Sequence, residues 1–201
     1  GSCSGSTFTV TVTVSPRPAV NNLTATICSG DSFSLTPANG TNGVVPTGTT
    51  YSWAAPSLPA GITGGTAGSG ANAISGTLTN STNTAQTVTY TVTPTSGSCS
   101  GSTFTVTVTV SPRPNIDDYN ISICTGSNFS ITPSNGTNGI VPAGTTYSWS
   151  APYVTGGISG GAAGGGSSNI SGTLVNPTDS PQTATYTITA ISGTCSSSTF
   201  T

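Results

Sequence analysis

The side chains best equipped for covalent chemistry are five cysteines, at positions 3, 28, 99, 124 and 195. They fall into two columns. Cys28 and Cys124 stand 96 positions apart, and Cys3, Cys99 and Cys195 share that spacing. No pair has the close spacing of a zinc site and the chain has no histidine, so thiol chemistry here means disulfides in an oxidising compartment rather than metal. Other reactive groups are scarce. The acids are Asp31, Asp117, Asp118 and Asp179; the bases are Arg17 and Arg113; Lys, Glu, His and Met are absent. Catalysis needs a nucleophile with a base, a carboxylate pair or a metal, so no catalytic residue and no cofactor is expected. Calcium wants six to eight oxygens, several of them carboxylate. Asp31 is matched 96 positions on by Ser127, and Asp117 and Asp118 are matched by Asn21 and Asn22, so no repeated acidic site exists and no metal is expected.

That spacing belongs to the whole chain. Residues 97–114, GSCSGSTFTVTVTVSPRP, copy residues 1–18 letter for letter. The same offset carries Trp53 to Trp149, ISGTL at 74–78 to ISGTL at 170–174, and Tyr90 to Tyr186, with no gap. An ungapped tandem array is typical of spacers, filaments and adhesins. The period suits an independent sandwich domain of roughly 100 residues. Only 3% of residues are charged, against roughly 25% in ordinary domains. The chain therefore lacks the basic patch that nucleic acid requires and the polybasic face that anionic lipid requires. No run of 18 apolar residues offers direct membrane insertion. With so few charges, stability should be indifferent to salt.

The elements that must position the cysteines are strands. TFTVTVTV at 7–14 and 103–110 alternates Thr with Phe and Val, the period-2 pattern of a half-buried strand. Further strands are expected near 23–28, 31–36, 50–54, 73–79 and 86–93, with a Gly-rich loop at 56–72 and no helix. SPRP, at 15–18 and 111–114, is stiff and extended and marks the boundaries. Residues 1–14 then read as the last strand of a preceding repeat, 15–18 as a Pro linker, 19–112 as a full repeat, and 113–201 as a repeat lacking its final strand. Thr201 falls partway through the match to Cys99–Thr105, so the chain reads as an excerpt of a longer one. The fold class is all-β, with tandem immunoglobulin-like sandwiches in a rod-like array. Cys28, Cys99, Cys124 and Cys195 are the structural disulfide candidates. Pairing within a repeat gives Cys28–Cys99 and Cys124–Cys195. An immunoglobulin-like order would place Cys28 in the first turn and Cys99 in the last hairpin, at opposite poles, which allows Cys28–Cys195 between neighbours. Free thiols are the third alternative.

ICSGDSFSLTP, TTYSW and ISGTLTNSTNTAQTVTYTVTPTSGSCSGSTFTVTVTVSPRP, in that order, resemble the PKD-like repeats of giant Bacteroidota surface proteins. The resemblance covers both repeats. It implies PKD-like sandwiches in tandem, secretion by the type 9 system, and extracellular display at the cell surface, associated with the outer membrane. The expected function is a structural stalk or filament segment of a long adhesin, serving surface attachment or gliding motility. The alternative is a polysaccharide-binding module, or a spacer in a secreted polysaccharide-degrading enzyme. Expected partners are neighbouring repeats of the same chain, with surface polysaccharide or another extracellular ligand engaged by other parts of the protein.

Other candidates have ordinary readings. Trp53 and Trp149 could be sugar platforms, but a Trp on a central sandwich strand usually fills the core. Tyr51 and Tyr147 share the tryptophan face by period 2. Tyr153, matched by Ser57, reads as a surface loop residue. The N-x-S/T sequons, Asn80 among them, follow from composition. One Thr-rich strand per repeat cannot form an ice-binding lattice.

Overall fold

In the strand Phe104–Ser111 the Thr/Val alternation becomes physical: Phe104, Val106, Val108 and Val110 are buried while the threonines between them stay partly exposed. The structure, a computed structural model describing residues 1–201, contains strands and turns and no helix. Phe104–Ser111 lies between Leu23–Cys28, to which it runs parallel, and Gln86–Ser96, to which it is antiparallel. Thr50–Trp53, Gly68–Ala71 and the short Cys99–Ser100, which pairs with Gln86–Ser96, complete that sheet. A second sheet of Ser32–Leu35, Ile74–Asn80 and Ile62–Gly64 packs across it. Phe33, Ile62, Ile74 and Leu78 from the second sheet meet Tyr51, Trp53, Val88, Tyr90 and the Phe104–Val110 row in one core of 13 buried residues. Aromatic edges lock it. Phe33 and Tyr90 rings lie 5.5 Å apart, and Tyr51 meets Phe104 edge-on at 6.3 Å. Each valine of the last strand contributes about 1.5–3 kcal/mol by burial.

The second repeat builds a related sandwich. Thr146–Trp149 pairs with Gly164–Ser167 and Ile188–Ser192, and Cys195–Phe200 flanks the latter. Asn128–Ile131 pairs with Ile170–Thr173. The aromatic pairs recur as Phe129–Tyr186 at 5.6 Å and Tyr147–Phe200 at 6.3 Å. The core is smaller, with seven buried residues. Residues 119–124, equivalent to the strand Leu23–Cys28, form no strand, and the equivalent of Gln86–Ser96 is broken into Ala184–Thr185 and Ile188–Ser192. Both flank the position of Phe104–Ser111, where the second sandwich has only Phe200 and Thr201. The ladder begins in the right place. Tyr119 donates its N–H to the Thr201 carbonyl at 2.7 Å, and Thr201 N–H reaches Asp118 Oδ1 at 2.7 Å, as Thr105 N–H reaches Asn22 Oδ1 at 2.9 Å.

The expected strands at 23–28, 31–36, 50–54, 73–79, 86–93 and 103–110 are all present in the first repeat, within a few residues. The stretch 56–72, expected as a loop, instead holds the strands Ile62–Gly64 and Gly68–Ala71. Its glycines hid them. Gly68 lies under the Trp53 ring so closely that a Cβ there would sit 2.3 Å from a ring carbon, and Gly164 does the same beneath Trp149 at 2.4 Å. Residues 7–14, expected as a strand, pair with nothing in this chain. No helix is long and apolar enough to cross a membrane.

Candidate functional site at the interdomain joint

Cys28 ends a strand whose partner, Phe104–Ser111, leads straight into the SPRP linker, because Cys28 lies opposite Ser111. This cysteine therefore sits at the pole from which the second sandwich departs. Cys195 follows the hairpin turn after Ile188–Ser192 and starts the strand Cys195–Phe200, at the near pole of the second sandwich. The two form a disulfide with a Cα–Cα distance of 5.6 Å, across 167 positions of sequence. Pairing within a repeat is not formed, for a geometric reason. Cys99 pairs with Ser96 beyond the Phe104 end of the sheet, while Cys28 lies at the Ser111 end. An eight-residue strand, about 27 Å, separates them, far beyond the reach of a disulfide. Cys3, Cys99 and Cys124 carry free thiols; Cys3 and Cys124 are exposed and Cys99 is half-buried.

Arg113, between the buried Pro112 and Pro114, completes the joint. Its Nε donates to the Ser29 carbonyl at 3.1 Å, one terminal nitrogen donates to the Ser196 carbonyl at 3.0 Å, and the other meets Asp31 Oδ1 at 2.7 Å. One guanidinium thus ties the first sandwich to the second. Beneath it, Ser29 N–H donates to the Ser111 carbonyl at 2.8 Å. Fixed φ at the two prolines holds the linker in the shape this clamp requires. The Arg113 clamp was not read from the sequence. A signal existed: an arginine repeated in an almost uncharged chain must find partners. Asp31, unrepeated and therefore set aside, supplies the ion pair.

The remaining candidates disperse. Trp53 is buried, its Nε1 donating to the Thr66 carbonyl at 3.0 Å; Trp149 is partly buried and bonds Ala162 in the same way at 3.1 Å. Tyr51 and Tyr147 are fully buried beside them. Tyr153 is 76% exposed, as expected, but sits on the short strand Tyr153–Val154 rather than in a loop. Asn80 is buried, and its amide donates to the Thr84 and Val110 carbonyls at 2.8 and 2.9 Å while accepting from Thr82, so this sequon offers no face to a glycan. No three of His, Cys, Asp or Glu cluster.

A second feature is a cleft of about 740 Å³ in the second sandwich, lined by Tyr119, Ile121, Ile123, Ile170, Tyr186 and Ile188 among others. The Tyr119 hydroxyl is buried at its edge without a partner. Burial raises the phenol pKa of Tyr119, with the Asp117 charge adding to it, and burial alone raises those of Tyr51, Tyr90 and Tyr186. Burial, then the neighbouring Tyr119, raises that of Tyr147.

No curated protein matches this sequence significantly. A protein-family model described as PKD-like domain matches residues 25–114 and again residues 121–201. Both matches begin after the short first strand of each repeat, Ala19–Val20 and Asn115–Ile116, and the first ends on the SPRP linker. The two stretches take in most of the sequence, both sandwiches and both ends of the joint, and the chain belongs to the PKD-like domain family.

Proposed function

We propose that this chain is a structural stalk segment of a long cell-surface adhesin, displayed outside the cell after type 9 secretion and serving attachment or gliding motility. The observation that carries the reading is the joint: a disulfide, an arginine clamp and two buried prolines hold successive sandwiches pole to pole. A stalk must transmit force without folding back on itself, and a covalent staple beside a stiff linker does that. A stable disulfide also fits an oxidising, extracellular setting. The surface adds little binding chemistry of its own, because Trp53 is spent on the core and one ion pair accounts for both its charges at the joint. A non-catalytic role follows as part of the same proposal.

Single-molecule pulling on the oxidised chain tests it. The joint should hold while the polypeptide between Cys28 and Cys195 stays shielded from extension, and reduction should release that length. Extension of the full contour length under oxidising conditions would overturn the mechanical reading. Deleting the repeats from the parent gene should shorten the reach of the adhesive end and impair attachment; unchanged attachment and motility would refute the adhesin role.

A further inference from the structure

The strand Phe104–Ser111 buries its valines and turns Thr105, Thr107 and Thr109 the other way, onto the outer face of the first sandwich. Register extends that row across both neighbouring strands. Thr107 stands between Thr24 and Thr89, Thr109 stands between Thr26 and Thr87, and Thr105 lies beside Thr91. Eight threonines thus form a grid on three strands, and neither pairing contains a bulge. Thr24, Thr26, Thr87, Thr89 and Thr91 are exposed, and the three on the middle strand are half-buried between them. The grid lies wholly within the complete first sandwich. One Thr-rich strand per repeat is too few for a lattice, but the fold sets two more threonine-bearing strands beside it, and that neighbourhood is not visible along the sequence.

The backbone sets the spacing of this grid, about 4.8 Å between strands and about 6.7 Å between threonines two apart on one strand. The oxygen repeats on the faces of ice lie near both spacings. Each threonine offers a methyl and a hydroxyl on a side chain with few χ1 states, so the grid is ordered before anything binds. The hydroxyls of Thr49, Thr77 and Thr82 are engaged within the protein. In the grid only backbone groups are engaged, as where Thr105 N–H donates to Asn22 Oδ1, which leaves eight hydroxyls free to donate and accept. No charge interrupts the face, because the ion pair of Arg113 and Asp31 sits at the joint. No ring interrupts it either, since Phe33, Tyr51, Trp53, Tyr90 and Phe104 are all buried, and a sugar polymer therefore finds no aromatic platform on which to stack. We propose that this threonine face binds ice. A single hydroxyl gains little from ice, because liquid water bonds it equally well. A fixed array matched to the crystal gains at every position together, which liquid water cannot reproduce, and growth stops where the array is seated.

The test grows ice slowly on a cooled probe from a dilute solution of the full 201-residue chain, with lysozyme beside it as a protein that ice excludes. The chain should enter the ice while lysozyme stays in the liquid, and it should slow recrystallisation of a frozen sucrose solution. Thr107→Lys sets a bulky cation at the centre of the grid. It should lower the partition into ice roughly tenfold and leave the melting temperature unchanged, because this side chain points away from the core. Thr89→Lys, on the neighbouring strand, should do the same and serves where the first variant fails to fold. Thr79→Lys, on the exposed outer side of the other sheet, should bind ice as the wild type does. Reduction of Cys28–Cys195 should also leave ice binding intact, since the face uses neither the disulfide nor Arg113, so this proposal and the stalk reading can fail separately. Exclusion of the wild-type chain from ice, an equal loss in Thr79→Lys, or retention on powdered cellulose or chitin through Thr107 without entry into ice would overturn the proposal.

Discussion

At the residue scale, the joint depends on Arg113 more than on any other polar side chain. Three nitrogens of one guanidinium have partners, two in the first sandwich and one in the second. The Arg113–Asp31 pair is partly solvated, 36% and 51% exposed, so its contribution is discounted. Arg113→Ala should cost about 1 kcal/mol of joint stability, felt as about a fivefold easier reduction of Cys28–Cys195 by glutathione. An unchanged thiol–disulfide equilibrium would show that the clamp is ornamental. Gly68 makes a second point. With the Trp53 ring against its α-carbon, Gly68→Ala must displace the ring or the strand, costing about 1–3 kcal/mol. Tryptophan fluorescence should shift to the red as the ring is pushed toward water; an unshifted spectrum with wild-type stability would contradict this packing.

At the element scale, the last strand decides how complete each sandwich is. Asn80 shows how it is held: a buried amide at the end of Ile74–Asn80 reaches across to the Val110 carbonyl. In the second repeat Asn176 keeps the local bonds, to the Ser180 carbonyl and from Thr178, without that long-range one. Asn80→Ala should therefore destabilise the first sandwich by about 2 kcal/mol, because two carbonyls lose their donor, and Asn176→Ala should cost the second clearly less. Urea titration followed by hydrogen exchange resolves the two sandwiches, and equal losses would refute the distinction. The same reasoning explains why 119–124 is not a strand although its copy at 23–28 is. The residues alternate well enough, but a strand's N–H and C=O groups need a neighbour on which to form a ladder.

At the scale of the whole molecule, charge is almost irrelevant and phenols matter. The chain has one ion pair, so the melting temperature should shift by no more than about a degree or two between low and 1 M salt; a shift of many degrees would contradict this. Alkali is different. Burial favours the neutral phenol in the folded state, so Tyr51, Tyr90, Tyr147 and Tyr186 hold their protons above the ordinary phenol value of 10.0. In the unfolded chain they ionise near that value. Between the two the unfolded state binds fewer protons, so stability is fully present below pH 10 and falls as pH rises beyond it. Thermal melts from pH 7 to 11 should be flat and then drop. Stability that persists unchanged at pH 11 would mean that these hydroxyls are not desolvated.

The sequence by itself determined the elements that rest on local pattern. Thr/Val alternation, the tyrosine–tryptophan face and the exact repeat are properties of neighbouring residues, and they dictate strands, a sandwich and its period wherever the chain folds. It also made disulfides the expected chemistry of the cysteines, with their pairing left open between partners within a repeat, partners in neighbouring repeats and free thiols. Strands hidden among glycines, the partner of Cys28 and the role of Arg113 depended on distance across space. Gly68 is strand because Trp53 lies on it; Cys28 chose Cys195 because a strand's length separates it from Cys99; and Arg113 found Asp31 only once two sandwiches had closed around the linker. Only the tertiary structure could decide these, because each depends on which surfaces meet after the apolar rows are buried, and no stretch of neighbouring residues carries that information.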